Sequence, residues 1–225
     1  MATKKVRVFS STALRWLTLL ILVVLSVLGS IRYVYLSPPF GIHRQVPLDL
    51  HQIQGPWFEV ARLESPLEQD LKYPVLFIKY TGPGADGLYP YSDPSDPRFR
   101  VVLMGQSESG TRRIALDTTT YMLDDYRTST LVMTCPNGLP CAYHLIDYDL
   151  ENQSWMVVTG RNKSQLWIFS RSPGIFPDTL KMIKKKLSAQ GYDVDALIYG
   201  NTLPKLPDVL PKIPETLPIP PSNKP

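Results

Sequence analysis

The chain has 225 residues, of which 44% are hydrophobic and 20% charged, a composition that leaves room for one sizeable core and excludes wholesale disorder. Its net charge of +4 does not mark a nucleic-acid binder. Residues 1–47 hold six basic side chains (Lys4, Lys5, Arg7, Arg15, Arg32, Arg44) and no acidic one, which leaves 48–225 at −2, whereas a nucleic-acid partner calls for positive charge on the folded part.

In chain order, 1–15 is a polar, basic segment expected on the cytosolic side. Trp16–Ile31 is an uncharged run rich in Leu and Val, and Tyr33-Val-Tyr-Leu36 extends it beyond Arg32. A cleaved signal peptide has an apolar region of about 7–15 residues and a small-residue cleavage site. This run is longer, and its best site, Val27-Leu28-Gly29, is poor. About 20 apolar residues span a bilayer. The stretch 16–36 supplies them, with Arg32 placed to snorkel and Tyr33 and Tyr35 suited to the interface. The expectation is an uncleaved signal anchor, a single transmembrane helix with the rest of the chain on the far side; a cleaved peptide is the alternative. Ser37-Pro-Pro-Phe40 breaks the helix and opens a linker, 37–47.

From 48 to 201 the pattern is of short strands: Trp57–Leu63, Pro74–Tyr80, Phe99–Ser107, Arg113–Met122, Ser129–Thr134, Ala142–Asp149, Trp155–Thr159 and Gln165–Arg171. Several alternate at period two, and turns separate them at hairpin spacing. The connection 82–98 is long and dense in Gly, Pro and Asp. A helix follows at about 177–190, with Pro177 in its first turn, Asp178 at its positive end and Gly191 at its stop. Phe176, Leu180, Ile183 and Leu187 fall on one stripe; Lys181, Lys184, Lys185 and Lys186 read as a solvated face. Ala196–Tyr199 is a short last strand. The fold class is therefore all-β: eight antiparallel strands, one C-terminal helix and a ninth small strand. Closing such a sheet into a barrel removes its edges and can enclose one small ligand.

The tail, 202–225, carries Leu-Pro or Ile-Pro every three to four residues and favours extended polyproline II. It reads as a disordered extension or as an arm for an envelope protein partner. Cys135 and Cys141, the two cysteines, bracket the turn PNGLP. Export makes a hairpin-closing disulfide the expectation, against free thiols in the cytosol. A zinc site lacks its further ligands, so neither a metal nor a cofactor is expected. Asn152-Gln-Ser and Asn162-Lys-Ser match glycosylation sequons but decide little.

The segment LDLHQIQGPWFEVARLES (48–65) resembles the first lipocalin signature, with Gly55-Pro56-Trp57 as its Gly-x-Trp. The form WFEVARLE is similar to the bacterial lipocalin and apolipoprotein D branch. YHLIDYDLENQSWMVVTG (143–160) resembles the second signature, with Asp149 favoured over Asp147 by its spacing to Trp155. LWIFSRSPGI (166–175) resembles the third, with Arg171 ending the last strand. Many bacterial members carry a lipid-modified cysteine where this chain has a longer apolar segment, and they lack its proline-rich tail. The resemblance implies an up-and-down barrel in which Trp57 closes the narrow end and Arg171 lies across its ring. It also implies a hydrophobic ligand such as a fatty acid or lysophospholipid; together with the signal anchor, the expected place is the bacterial inner membrane, facing the periplasm.

One face of each strand must line the pocket. The candidates are Leu63, Ile78, Tyr80, Val102, Met104, Ile114, Tyr121, Met133, Tyr143, Trp155 and Trp167, with the 82–98 loop at the entrance. A register error of one residue moves any of them outside. Glu59 shares the parity of Trp57 and reads as a buried structural carboxylate or as a head-group contact. An enzymatic alternative is a lipid hydrolase using His144 with Asp147 and a serine. No Gly-x-Ser-x-Gly elbow accompanies it, and His43 and His51 lie outside the strands, so no enzyme is expected.

Overall fold

Side chains alternate across a strand, so a one-residue irregularity decides which of them reach a barrel's interior. The computed structural model describes residues 11–36, 52–83, 97–123, 130–134 and 140–200. β1 (Gly55–Arg62) pairs at its start with β2 (Lys72–Pro83), Gly55 opposite Ile78 and Phe58 opposite Val75. Its later part pairs with β8 (Leu166–Ser170), Arg62 opposite Trp167, across a bulge between Glu59 and Ala61. Trp57 belongs to the interior cluster, whereas Val60, Ala61 and Leu63 pack outward beneath a helix. The bulge inserts the extra residue that allows this switch.

Between them run β3 (Pro97–Gln106), β4 (Arg112–Leu123), β5 (Thr130–Thr134), β6 (Pro140–Tyr148) and β7 (Trp155–Thr159), each antiparallel to its neighbours. The β1–β2 pairing closes the ring of eight, and β9 (Ile198–Tyr199) adds to β1 on the edge away from β8, beyond the end of the β2 pairing. β7 has the expected bounds, and the other strands match within a few residues.

β1 runs from the Trp57 end, the floor, toward the β1–β2 connection, the mouth. The connection 82–98 was expected at the entrance. Residues 84–96 lie outside the described residues, but Pro83 and Pro97, the paired strand ends flanking them, stand at the floor. Two strands later in an up-and-down ring, the chain has returned to the end where it started.

α2 (Pro177–Ala189) crosses the outside of the barrel. Ile183 and Leu187 are buried against Val60, Ala61, Leu63, Trp155 and Ile168, and Leu180 packs at the edge. Phe176 was expected on that stripe and is not: it is the N-cap residue and 82% exposed, because the extended backbone before Pro177 turns it away. Of the lysines, Lys186 pairs with Asp147 at 2.9 Å and Lys184 donates to the Tyr199 hydroxyl at 3.1 Å. Tyr192 donates to Thr159 at 2.8 Å and ties the chain after α2 to the barrel.

α1 (Ser11–Leu36) contains the apolar run. Its described side chains, residues 15–30, are exposed throughout. Among the described residues no helix is long and apolar enough to cross a membrane; the side chains described along α1 fall short of the about 20 required. Cys141 on β6 is disulfide-bonded, and Cys135 lies outside the described residues, as does the tail.

Candidate ligand cavity

The floor is assembled from residues far apart in sequence. Trp57 is fully buried, and its indole N–H donates to the Ile53 carbonyl at 2.7 Å. The Arg171 guanidinium lies over the ring, 3.6 Å from its centroid, and donates to the carbonyls of Pro56 (3.1 Å) and Gln52 (2.6 Å). Tyr148 packs edge-on to the indole at 6.2 Å. Gly55 permits the approach: its φ is +95°, and a Cβ there would stand 3.3 Å from Arg171 Nη1. Asp149 fixes the adjacent β6–β7 turn. Burial raises its pKa, but hydrogen bonds from the Ser154 hydroxyl and from the N–H groups of Asn152, Ser154 and Glu151 outweigh that and leave it lowered.

Above the floor lies a cavity of about 80 Å³ that opens at the mouth. The walls are Leu76, Ile78, Val101, Leu103, Leu116, Leu131, Met133, Tyr143, Leu145, Met156, Val158, Trp167 and Phe169. Ile53 lines it from the floor side, and Leu67 and Glu68 line it from the 3-10 turn Pro66–Glu68 that follows β1.

Glu68 belongs to a buried charged group. Both its carboxylate oxygens accept from the Trp167 indole N–H (2.9 and 3.1 Å), and Oε2 lies 2.9 Å from Arg62 Nε. Arg62 also donates to the Glu68 carbonyl at 3.2 Å and stands 3.7 Å from Glu59. The Glu59 pKa is held well above its ordinary 4.5, first by burial and then by the charge of Glu68, against a lowering influence from Arg62. A carboxyl group neutral in the fold and ionised in the unfolded chain gives stability that is fully present below about pH 4.5 and lost as pH rises through its raised folded value. Glu59→Gln is therefore expected to melt higher than wild type, by a margin that widens from pH 4.5 to 8; a margin independent of pH would contradict the neutral-acid assignment.

Of the expected pocket residues, Ile78, Met133, Tyr143 and Trp167 line the cavity together. Tyr80 packs beside Phe99, with rings 5.5 Å apart, against the interior cluster but off the cavity wall. Glu59 is buried beside Glu68 and does not line the cavity. Leu63 and Trp155 are corrected to the outer face beneath α2. Val102 and Met104 are one residue off the lining pair Val101 and Leu103. Ile114 is turned out by an irregularity where Leu103 faces Leu116 but Met104 faces Ile114, and it is 49% exposed. Tyr121 pairs with Val132, the position between lining residues Leu131 and Met133.

Sequence reasoning missed Leu76, Val101, Leu103, Leu116, Leu131, Leu145, Met156, Val158 and Phe169, together with Ile53, Leu67 and Glu68. On β3 a signal was present: Arg98 and Arg100 must point outward, which sends Phe99, Val101 and Leu103 inward. On β7 and β8 both faces are apolar, because α2 covers the outer one, and hydropathy carries no parity there. His144 is off the cavity, 3.0 Å from the Thr130 hydroxyl, and Asp147 engages Lys186; the proposed hydrolase pair is not assembled.

An eight-stranded closed ring with an external helix, floored by a tryptophan under an arginine, defines a lipocalin-like barrel. In agreement, the family model of the lipocalin-like domain matches residues 113–202. The resemblance runs to the bacterial branch: outer membrane lipoprotein Blc of Vibrio cholerae serotype O1 is 24% identical over 164 residues, covering 73% of this chain and 88% of its own. Outer membrane lipoprotein Blc of Citrobacter freundii is 24% identical over 163 residues, covering 72% and 84%. Among solved structures, insecticyanin from the tobacco hornworm Manduca sexta shares the fold, with a TM-score of 0.51, 15% identity and coverage of 74% of this chain and 88% of that one.

Proposed function

We propose that this protein binds a single-chain hydrophobic ligand in the barrel, as a carrier or store within the cell envelope. The observation that carries the reading is the cavity itself: apolar walls contributed by β2 to β8, enclosed at the floor and partly covered at the mouth. Burying an alkyl chain there gains about 25 cal/mol per Å² of apolar surface removed from water, with the ordering of the site largely met by the fold. The narrow space favours a chain over a fused-ring ligand. The same envelope reading makes α1 a tether: its 26 residues extend for about 39 Å at the helical rise, and the basic segment before it favours the cytosol. The bonded state of Cys141, paired in this reading with Cys135, suits an oxidising compartment, and the relatives are named as outer membrane lipoproteins. The proposed domain bounds are 48–201 for the barrel and 202–225 for an arm.

The test uses the full chain in nanodiscs of zwitterionic lipid, titrated with the neutral apolar fluorophore N-phenyl-1-naphthylamine, beside native mass spectrometry of the chain extracted from its own membrane. Saturable uptake of one probe per chain and a copurifying single-chain lipid are expected. Uptake no greater than that of empty nanodiscs, with no copurifying ligand, would overturn the reading.

A further inference from the structure

The cavity walls decide that a ligand is apolar but say nothing about its head. Among the described residues one carboxylate lines the space, Glu68 at the mouth. Arg62, the nearby base, is engaged with Glu68 by its side chain and borders an outer groove with Glu64 and Asp70 rather than the lumen. Behind Glu68 is Glu59, whose fully buried carboxyl oxygens receive no N–H within hydrogen-bond distance among the described residues and whose proton is shared with Glu68. Two acids thus share one base in an apolar surround: Arg62 offsets Glu68, and Glu59 stays neutral. Beside Glu68 the wall is aromatic: Tyr143 and Trp167 both line the cavity, with centroids 5.7 Å apart and planes inclined by 56°.

From this geometry we propose that the cavity takes a single-chain amphiphile with an ammonium head, seated against Glu68 beside the rings of Tyr143 and Trp167. The proposal rests on the chain-binding reading above and specifies the ligand's charge. A carboxylate head would meet Glu68 at close range with Arg62 already occupied. An ammonium head forms a charge-assisted hydrogen bond with Glu68 and gains from the ring faces. It also brings a second positive charge beside the two acids, so that Glu59 gives up its proton to solvent as the ligand enters. The charged and titratable groups around that acid are Glu68 from the 3-10 turn, Arg62 from β1 and Tyr143 from β6; burial, then Glu68, raises the Tyr143 pKa, so Tyr143 stays neutral at physiological pH. Affinity for the cation therefore rises with pH through the Glu59 titration.

The experiment is displacement of N-phenyl-1-naphthylamine from the full chain in zwitterionic nanodiscs by dodecylamine, dodecanol and dodecanoate, with empty nanodiscs subtracted. Dodecylamine is expected to displace the probe at about a tenth of the dodecanoate concentration or less, and to tighten between pH 5 and 8, where the amine itself does not titrate. Glu68→Gln is expected to erase the preference, read as the ratio of amine to carboxylate displacement whatever the variant's own probe affinity; should that variant not fold, the wild-type comparison and its pH dependence decide the matter. Probe binding with amine and carboxylate equal, or carboxylate better, overturns the head-group proposal and leaves the cavity reading standing. Absence of probe binding overturns both.

Discussion

Trp57→Ala is expected to lower stability by about 3–5 kcal/mol, a fall in Tm on the order of 10 °C for a domain of this size. Three losses coincide. The indole is fully buried at the floor and leaves a void; its hydrogen bond to the Ile53 carbonyl goes; and Arg171 loses the ring 3.6 Å beneath it. The stacked cation alone contributes roughly 0.5–2 kcal/mol, and a double-mutant cycle with Arg171→Met isolates that share. Trp57→Phe keeps most of the packing and is expected to cost about half as much or less, since it forfeits mainly the hydrogen bond. Chemical denaturation of the full chain in nanodiscs, followed by tryptophan fluorescence, measures all three. A cost below about 1 kcal/mol for Trp57→Ala would mean that the floor is not a keystone of the barrel.

Leu131→Trp is expected to reduce uptake of the neutral apolar fluorophore by more than tenfold while the protein stays folded. Leu131 lines the cavity from β5 and is only partly buried, so an indole there projects into an open space of about 80 Å³ rather than into packed neighbours. Overpacking a filled core costs about 1–3 kcal/mol; at this position the existing void takes up much of the added bulk. The matched control is Phe176→Ser, on the outside of the barrel and 82% exposed, for which neither uptake nor Tm should change. Undiminished uptake by a folded Leu131→Trp protein would place the probe elsewhere and remove the cavity from the functional argument.

The sequence by itself determined the number of strands, their order, the helix that follows and the residues that seal the floor. Those features are written locally: period-two runs between turns, Pro177 and Gly191 bracketing α2, and Trp57 with Arg171 at fixed places in recognisable segments. Local patterns survive in one dimension because propensity, alternation and turn chemistry act over a few residues. Parity was another matter. The bulge at Glu59/Ala61 and the irregularity opposite Leu103 each shift every later side chain to the opposite face. Strands β7 and β8, apolar on both faces because α2 covers one of them, offered hydropathy nothing to read. Glu68 was out of reach for a different reason: nothing near it in sequence indicates that a turn carries it onto Trp167, 99 residues away. Only ring closure brings those two together and so sets a carboxylate, Glu68, in the wall of the apolar cavity.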